Sequence, residues 1–241
     1  DNTPFETGAY ASSTTYITGN AVKKCSLQVL DQIIEGAAEI LSADKDELTA
    51  AGGMVKSSRS GKEVSFGDIC AYRLYTSGQF QIQSSASFVA HESPPPFTAQ
   101  FAEVEVDTET GELRVIKFVS AVDCGQPLNP VLAEGQVEGA VINGISYALT
   151  EEYLFNAEGR MTNPDFGHYK IFSAVDIPEL VTYISDSFEE TGPYGAKSIG
   201  EIAINGPAPA IANAVFDAAG IRLRQTPFTP EKVWEGLNGA K

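Results

Sequence analysis

Basic side chains, histidine and cysteine are all scarce in this chain of 241 residues. Lys and Arg number 16 against 32 Asp and Glu, a formal charge of −16. A surface of that sign repels a phosphate backbone and an anionic bilayer alike, so neither nucleic acid nor membrane is an expected partner. No apolar run reaches the ~18 residues of a membrane span. The polar opening from Asp1 to Thr7 has neither the basic nor the apolar region of a secretory signal. Cys25, Cys70 and Cys124 are odd in number, widely spaced and form no CxxC pair. That usage fits a reducing compartment, the cytoplasm, better than a disulfide framework. The two histidines, His91 and His168, read first as structural residues, and no His or Cys cluster has metal-ligand spacing. Walker A and GxGxxG spacings are absent too.

What is present alternates helices with hairpins. Val22, Cys25, Val29, Ile33, Ala37 and Ile40 recur at three- and four-residue steps and predict an amphipathic helix from Asn20 to about Leu41. Gly52-Gly53 breaks that pattern. The polar stretch from Ser57 to Gly61, between Val55 and Val64, predicts a short hairpin, and Ser65 is placed to cap a helix running to about Tyr75. Phe80 to Ile82 reads as extended. Pro94-Pro95-Pro96 suits neither a helix interior nor a central strand, and marks an expected division into α+β subdomains 1–93 and 94–241.

Beyond it, Phe101, Val104 to Val106, and Leu113 to Val119 flank the turn composition Asp107 to Gly111, which predicts a hairpin. Asn129-Pro130 supplies an N-cap and a proline where its missing N–H costs least, opening a helix through about Leu149. Strands are expected around Tyr153 and Val181. Asn205-Gly206-Pro207 opens a helix ending at Gly220, and Thr229-Pro230-Glu231 opens the last one. Regular βαβ repetition is missing, so the expected class is α+β, with antiparallel sheets and packed helices.

The densest chemistry lies between Gly192 and Glu201, where three glycines, a proline, Lys197 and Glu201 share ten residues ahead of a helix. Such a loop can bring backbone N–H groups close to an anion, with the helix N-terminus adding favourable potential. The same residues also read as a tight turn with a surface ion pair. Upstream, Ser12, Ser13, Thr14 and Thr15 follow Ala11 as consecutive hydroxyls; these suit either phosphate binding or simple helix capping. Cys124 reads as a small buried hydrophobe, and Tyr147, Tyr153 and Tyr169 as packing groups.

In order and spacing these blocks resemble the C-terminal part of the molybdenum-binding subunit of the xanthine dehydrogenase and aldehyde oxidase family. The likeness is carried by Ala102 to Asp107 with Thr110-Gly111, Asp123-Cys124-Gly125 with Asn129-Pro130, Gln136 to Gly139, Gly195 to Glu201, Ala208 to Ala214 and Thr229 to Val233. It runs from about Thr7 to Leu237 and implies the fold of that family's molybdopterin-binding domain. It also implies a molybdenum-molybdopterin cofactor, commonly the cytosine dinucleotide form in bacterial members, with no metal ligand supplied by the protein.

The resemblance places Glu201 as the general base of a hydroxylase oxidising an N-heterocycle (purine or nicotinate-like) or an aldehyde, with water as oxygen source. It sets Ala11, Ser12, Ser13, Thr14, Thr15, Gln136, Lys197, Ser198, Ile199 and Gly200 against the cofactor. The cofactor-facing N-terminal segment would then belong to 1–93, and the active-site loop to 94–241. Iron–sulfur clusters and FAD are expected on partner chains, beside the rest of the molybdenum subunit, because their ligand motifs are missing here. An opening without Met accords with a fragment of such a subunit. One departure from the family pattern is Ser198-Ile199 in place of the usual Gly-Val; a serine forced to positive φ there would cost on the order of 1 kcal/mol. Two other classes remain open on sequence, a non-catalytic assembly module and a simple phosphate-binding domain.

Overall fold

The computed structural model describes Phe5 and residues 8–76 and 78–239; the readings placed on Asp1 to Pro4 and on Thr7 fall outside these residues. Two compact units result, one of Ile17–His91 and one joining the segment up to Tyr16 with Glu92 onward. From sequence a single boundary is expected after residue 93. A division lies beside that point, but a second follows Tyr16, so the hydroxyl-rich segment groups with the C-terminal unit.

In the unit Ile17–His91 the predicted stripe forms α1 (Gly19–Leu41), whose Ile33 and Ala37 are buried with Val55, Val64 and Ile69. Gly36 lets α2 (Phe66–Tyr75) approach, because a Cβ at that position would lie 2.6 Å from Ile69 Cγ2. Ser65 caps α2 by accepting the Asp68 N–H, as its position predicts. Strands β1 (Leu48–Ala51), β2 (Met54–Ser57) and β3 (Glu63–Ser65) form an antiparallel sheet. Of these, β1 goes unpredicted: Gly52-Gly53, both at positive φ, turns the chain so that β1 pairs with β2. Phe80 to Ile82 joins no strand. The segment beyond is instead fastened to α1 by side chains, with Gln32 donating to Gln83 O at 2.9 Å and accepting its N–H at 3.2 Å.

The other unit is built on β4 (Phe97–Val106), β5 (Leu113–Asp123) and β6 (Glu179–Ile184). β4 and β5 form the predicted hairpin; Asp107 Oδ1 accepts the Glu109 and Thr110 N–H groups across its turn at 2.8 and 3.0 Å. β6 pairs with β5 in parallel, the one departure from antiparallel pairing among the named strands. α3 (Pro130–Leu149) lies in that crossover, and the strand expected near Tyr153 is reduced to an isolated bridge between Phe155 and Met161.

Phe118 and Val122 of β5 pack with Val137, Val141 and Ile145 of α3 and with Ile211 and Val215 of α4 (Pro207–Ala219). Each such fully buried aliphatic contributes about 1.5–3 kcal/mol. Helix α5 (Pro230–Asn238), capped by Thr229, closes the unit. Among the described residues no helix is long and apolar enough to cross a membrane.

Candidate functional site

The loop from Gly192 to Glu201 is fixed first by its backbone. Lys197 N–H donates to Cys124 O at 2.7 Å and Gln126 N–H to Gly195 O at 2.7 Å. This approach requires glycine at 125, where φ is +66° and a Cβ would stand 2.2 Å from Gly195 O. The Lys197 ammonium then donates to Asp123 Oδ2 at 2.6 Å and to Pro95 O at 3.1 Å, and lies 5.5 Å from the Phe97 ring centre. Burial alone would raise the Asp123 carboxyl. The Lys197 ammonium, the Ser187 hydroxyl and the Gly125 N–H outweigh it and hold that carboxyl below the usual range.

At the loop's far end the Ser12 hydroxyl donates to Glu201 Oε2 at 2.8 Å, and Gln136 Nε2 donates to Gly200 O at 2.7 Å. A Cβ on Gly200 would come within 3.3 to 3.4 Å of Ser12, so the missing side chain eases the approach of the two segments. Tyr16, 6 % exposed, makes a second tie from the N-terminal segment by donating to Thr191 Oγ1 at 2.7 Å.

These contacts enclose a cleft of about 570 Å³, within the ordinary range for a small-molecule or cofactor site. Of the residues expected from sequence, Ser12, Thr14, Thr15, Gln136, Lys197, Ile199, Gly200 and Glu201 line it, while Ala11, Ser13 and Ser198 do not. Ser13 is turned away, donating to Tyr10 O at 2.8 Å. Lys197 reaches the cleft, yet its charge is spent on Asp123 rather than left free for a phosphate. The strain considered for Ser198 is not there. Among non-glycine residues around the cleft, positive φ falls on Tyr194 of the loop (54°) and on Ala11 and Ser12 (48° and 55°).

Nor does α4 present its N-terminus to the cleft, as the loop-before-helix pattern leads one to expect. A short 3-10 turn (Ile202–Ile204) intervenes, and Pro207, first in α4, is buried, placed so that a Cβ on Gly144 would meet its Cγ at 2.5 Å. The helix end that does face the cleft belongs to α3, through Asn129, Leu132, Ala133 and Gln136. Their 3–4 spacing is the signal that could have placed them together. Gln126 and Tyr10, also in the lining, carry no such signal.

Cys124 is buried and burial pushes its thiol up, so the reading as an inert hydrophobe agrees with its surroundings. A second opening, about 360 Å³, shares Gln136, Gly200 and Glu201 with the first, so the carboxylate stands where the two meet. Among the described residues no cluster of His, Cys, Asp and Glu could hold a metal ion directly.

A family model described as "Molybdopterin cofactor-binding domain" matches residues 1–178. A protein of Escherichia coli strain K12 named "Probable hypoxanthine oxidase XdhD" is 40% identical over 239 residues, covering 98% of this chain and 25% of that protein. The "6-hydroxypseudooxynicotine dehydrogenase complex subunit gamma" of Paenarthrobacter nicotinovorans is 30% identical, covering 99% of this chain and 31% of its own. Among solved structures, quinoline 2-oxidoreductase from Pseudomonas putida 86 superposes with a TM-score of 0.88 at 22% identity over 97% of this chain and 31% of that one, a likeness of fold. The chain thus spans a quarter to a third of the length of these relatives. With the family model covering most of its length and a relative 40% identical over nearly all of it, the chain belongs to the molybdopterin cofactor-binding domain family, that of the xanthine dehydrogenase and aldehyde oxidoreductase molybdenum-binding subunits.

Proposed function

We propose that this chain is the part of a molybdenum hydroxylase that carries the general base, Glu201, and one wall of the cofactor site. The substrate class is an N-heterocycle, purine or nicotinate-like, or an aldehyde, with water as oxygen source. The names of the relatives, a hypoxanthine oxidase and a dehydrogenase of a nicotine-related compound, favour the heterocycle.

The cleft suits such a cofactor in its chemistry. Its donors are hydroxyls and amides, which can receive pterin edges and phosphates without a free cation, and the N-terminal end of α3 adds favourable potential. The Thr14 and Thr15 hydroxyls have no side-chain partner among the described residues and are available for that purpose. Gln136 through its second amide hydrogen, Ser12 as an acceptor and the 198–200 N–H groups would hold the remainder. When bound, the cofactor supplies two-electron redox chemistry and activates the water oxygen; we assign the cytosine dinucleotide form.

The chain's own part is proton transfer. Ser12 donates to Oε2 and orients the carboxylate, while Oε1 has no protein partner among the described residues and is open to take a proton. Glu201 is exposed in this chain, so the shelter a base needs must come from the remainder of a longer subunit. Electrons would leave through iron–sulfur and FAD centres on partner chains. The Paenarthrobacter relative, named as one subunit of a complex, supports that arrangement. Three free thiols accord with a cytoplasmic setting.

The observation that carries this reading is the Ser12–Glu201 hydrogen bond at the mouth of the cleft. Its test is Glu201→Gln in the full-length subunit assembled with its partners, assayed on hypoxanthine, nicotinate and an aromatic aldehyde. Molybdenum content should stay near normal while turnover drops by roughly 10²- to 10⁴-fold. Undiminished turnover in the fully loaded variant would leave the domain as a non-catalytic cofactor holder.

A further inference from the structure

Three carbonyl groups around Glu201 are each held by a side chain, two from α3 and one from β4. Gly200 O is held by Gln136 of α3, Ala203 O by Gln100 of β4 at 2.9 Å, and Ile204 O by Tyr147 of α3 at 2.8 Å. The turn between them is a single 3-10 turn closed by Ile204 N–H on Glu201 O at 3.2 Å. So short an element has little rigidity of its own. Its position is set from outside.

Gln100 is the least expected of the three. It points inward from β4, its amide donating also to the buried Ser120 hydroxyl at 3.1 Å, and its Oε1 is buried without a partner. Both of its amide hydrogens are committed, one to β5 and one to the turn that follows Glu201. Gly206 makes room for it, since a Cβ there would stand 1.8 Å from Oε1.

We propose that Gln100 is a positioning residue for Glu201. By pinning the Ala203 carbonyl it fixes the turn that carries the carboxylate, with Tyr147 as the second strap. This rests on the reading of Glu201 as the base.

The test compares Gln100→Met, close in volume but unable to donate, in wild-type and Glu201→Gln backgrounds of the full-length subunit assembled with its partner chains. Molybdenum content should hold and KM should move little, while kcat falls by about tenfold to a hundredfold in the wild-type background. Amides of residues 201–204 should exchange faster with solvent. In the Glu201→Gln background the same change should lower residual turnover by less than about twofold, because nothing is left to position. Equal losses in both backgrounds, unchanged kcat, or unchanged exchange would overturn the proposal. Should Glu201→Gln prove as fast as wild type, the base reading itself has failed and the positioning role goes with it. If Gln100→Met does not assemble, Tyr147→Phe is read by the same criteria.

Discussion

Two stretches of this chain run without a sheet ladder and are held in opposite ways. The loop around Lys197 is tied by groups withdrawn from water: Lys197 is 9 % exposed, and its ammonium meets Asp123 and a backbone carbonyl. The segment after Phe80 lies along α1 by hydrogen bonds at the surface, Ser84 donating its hydroxyl to Gln28 and Gln32 donating to Gln83 O. Water competes more fully for the second set than for the first. A short irregular segment is therefore as rigid as the burial of its anchors, and the site loop has the buried ones.

Asp123→Asn is the strongest way to break that contrast. It leaves the Lys197 ammonium buried without its counter-charge, and the expected loss is about 3–5 kcal/mol, measured by denaturant unfolding. Replacing both partners together, Asp123→Leu with Lys197→Met, should recover most of it.

Titration sharpens the same point. The Asp123 carboxyl is held below its ordinary 3.8 in the folded chain. Its stabilisation is therefore complete above that ordinary value and is lost as pH falls through the folded one. The wild-type melting temperature should drop more steeply over that acid window than that of Asp123→Asn. Parallel curves would show that the pair contributes nothing.

Gln32→Ala should matter least. Removing two exposed hydrogen bonds is expected to cost less than about 1 kcal/mol, yet it should speed proteolytic cleavage within residues 83–91 and leave cofactor content unchanged. A stability loss as large as that of Asp123→Asn would erase the distinction between the two stretches.

Local chemistry made much of the fold legible. Asn129-Pro130 and Leu149 mark the ends of α3 within a residue, and Ser65, Thr229 and Gly220 cap their helices where predicted. Each such signal lies within a few residues of the feature it sets. Contacts made across long separations left no trace of that kind. Lys197 and Asp123 are 74 residues apart, Gln100 and Ala203 103 apart, and the parallel pairing of β6 depends on a crossover through α3.

The site divides in the same way. Glu201, Gln136 and the hydroxyls could be named from the family likeness, but their convergence could not be read from local pattern. Which hydroxyls face the cleft depends on Ala11 and Ser12 adopting left-handed backbone, a choice nothing in the residues themselves requires. The lysine's engagement with Asp123 was hidden for the same reason.

We propose that the cleft between the N-terminal hydroxyl segment and the 195–201 loop holds the pterin. The most direct test is to quantify molybdenum and pterin in the assembled full-length subunit carrying Ser12→Ala, Thr14→Val and Gln136→Ala together. Loss of their hydrogen bonds should lower both contents in parallel by about tenfold or more. Full occupancy in a folded triple variant would place the cofactor elsewhere.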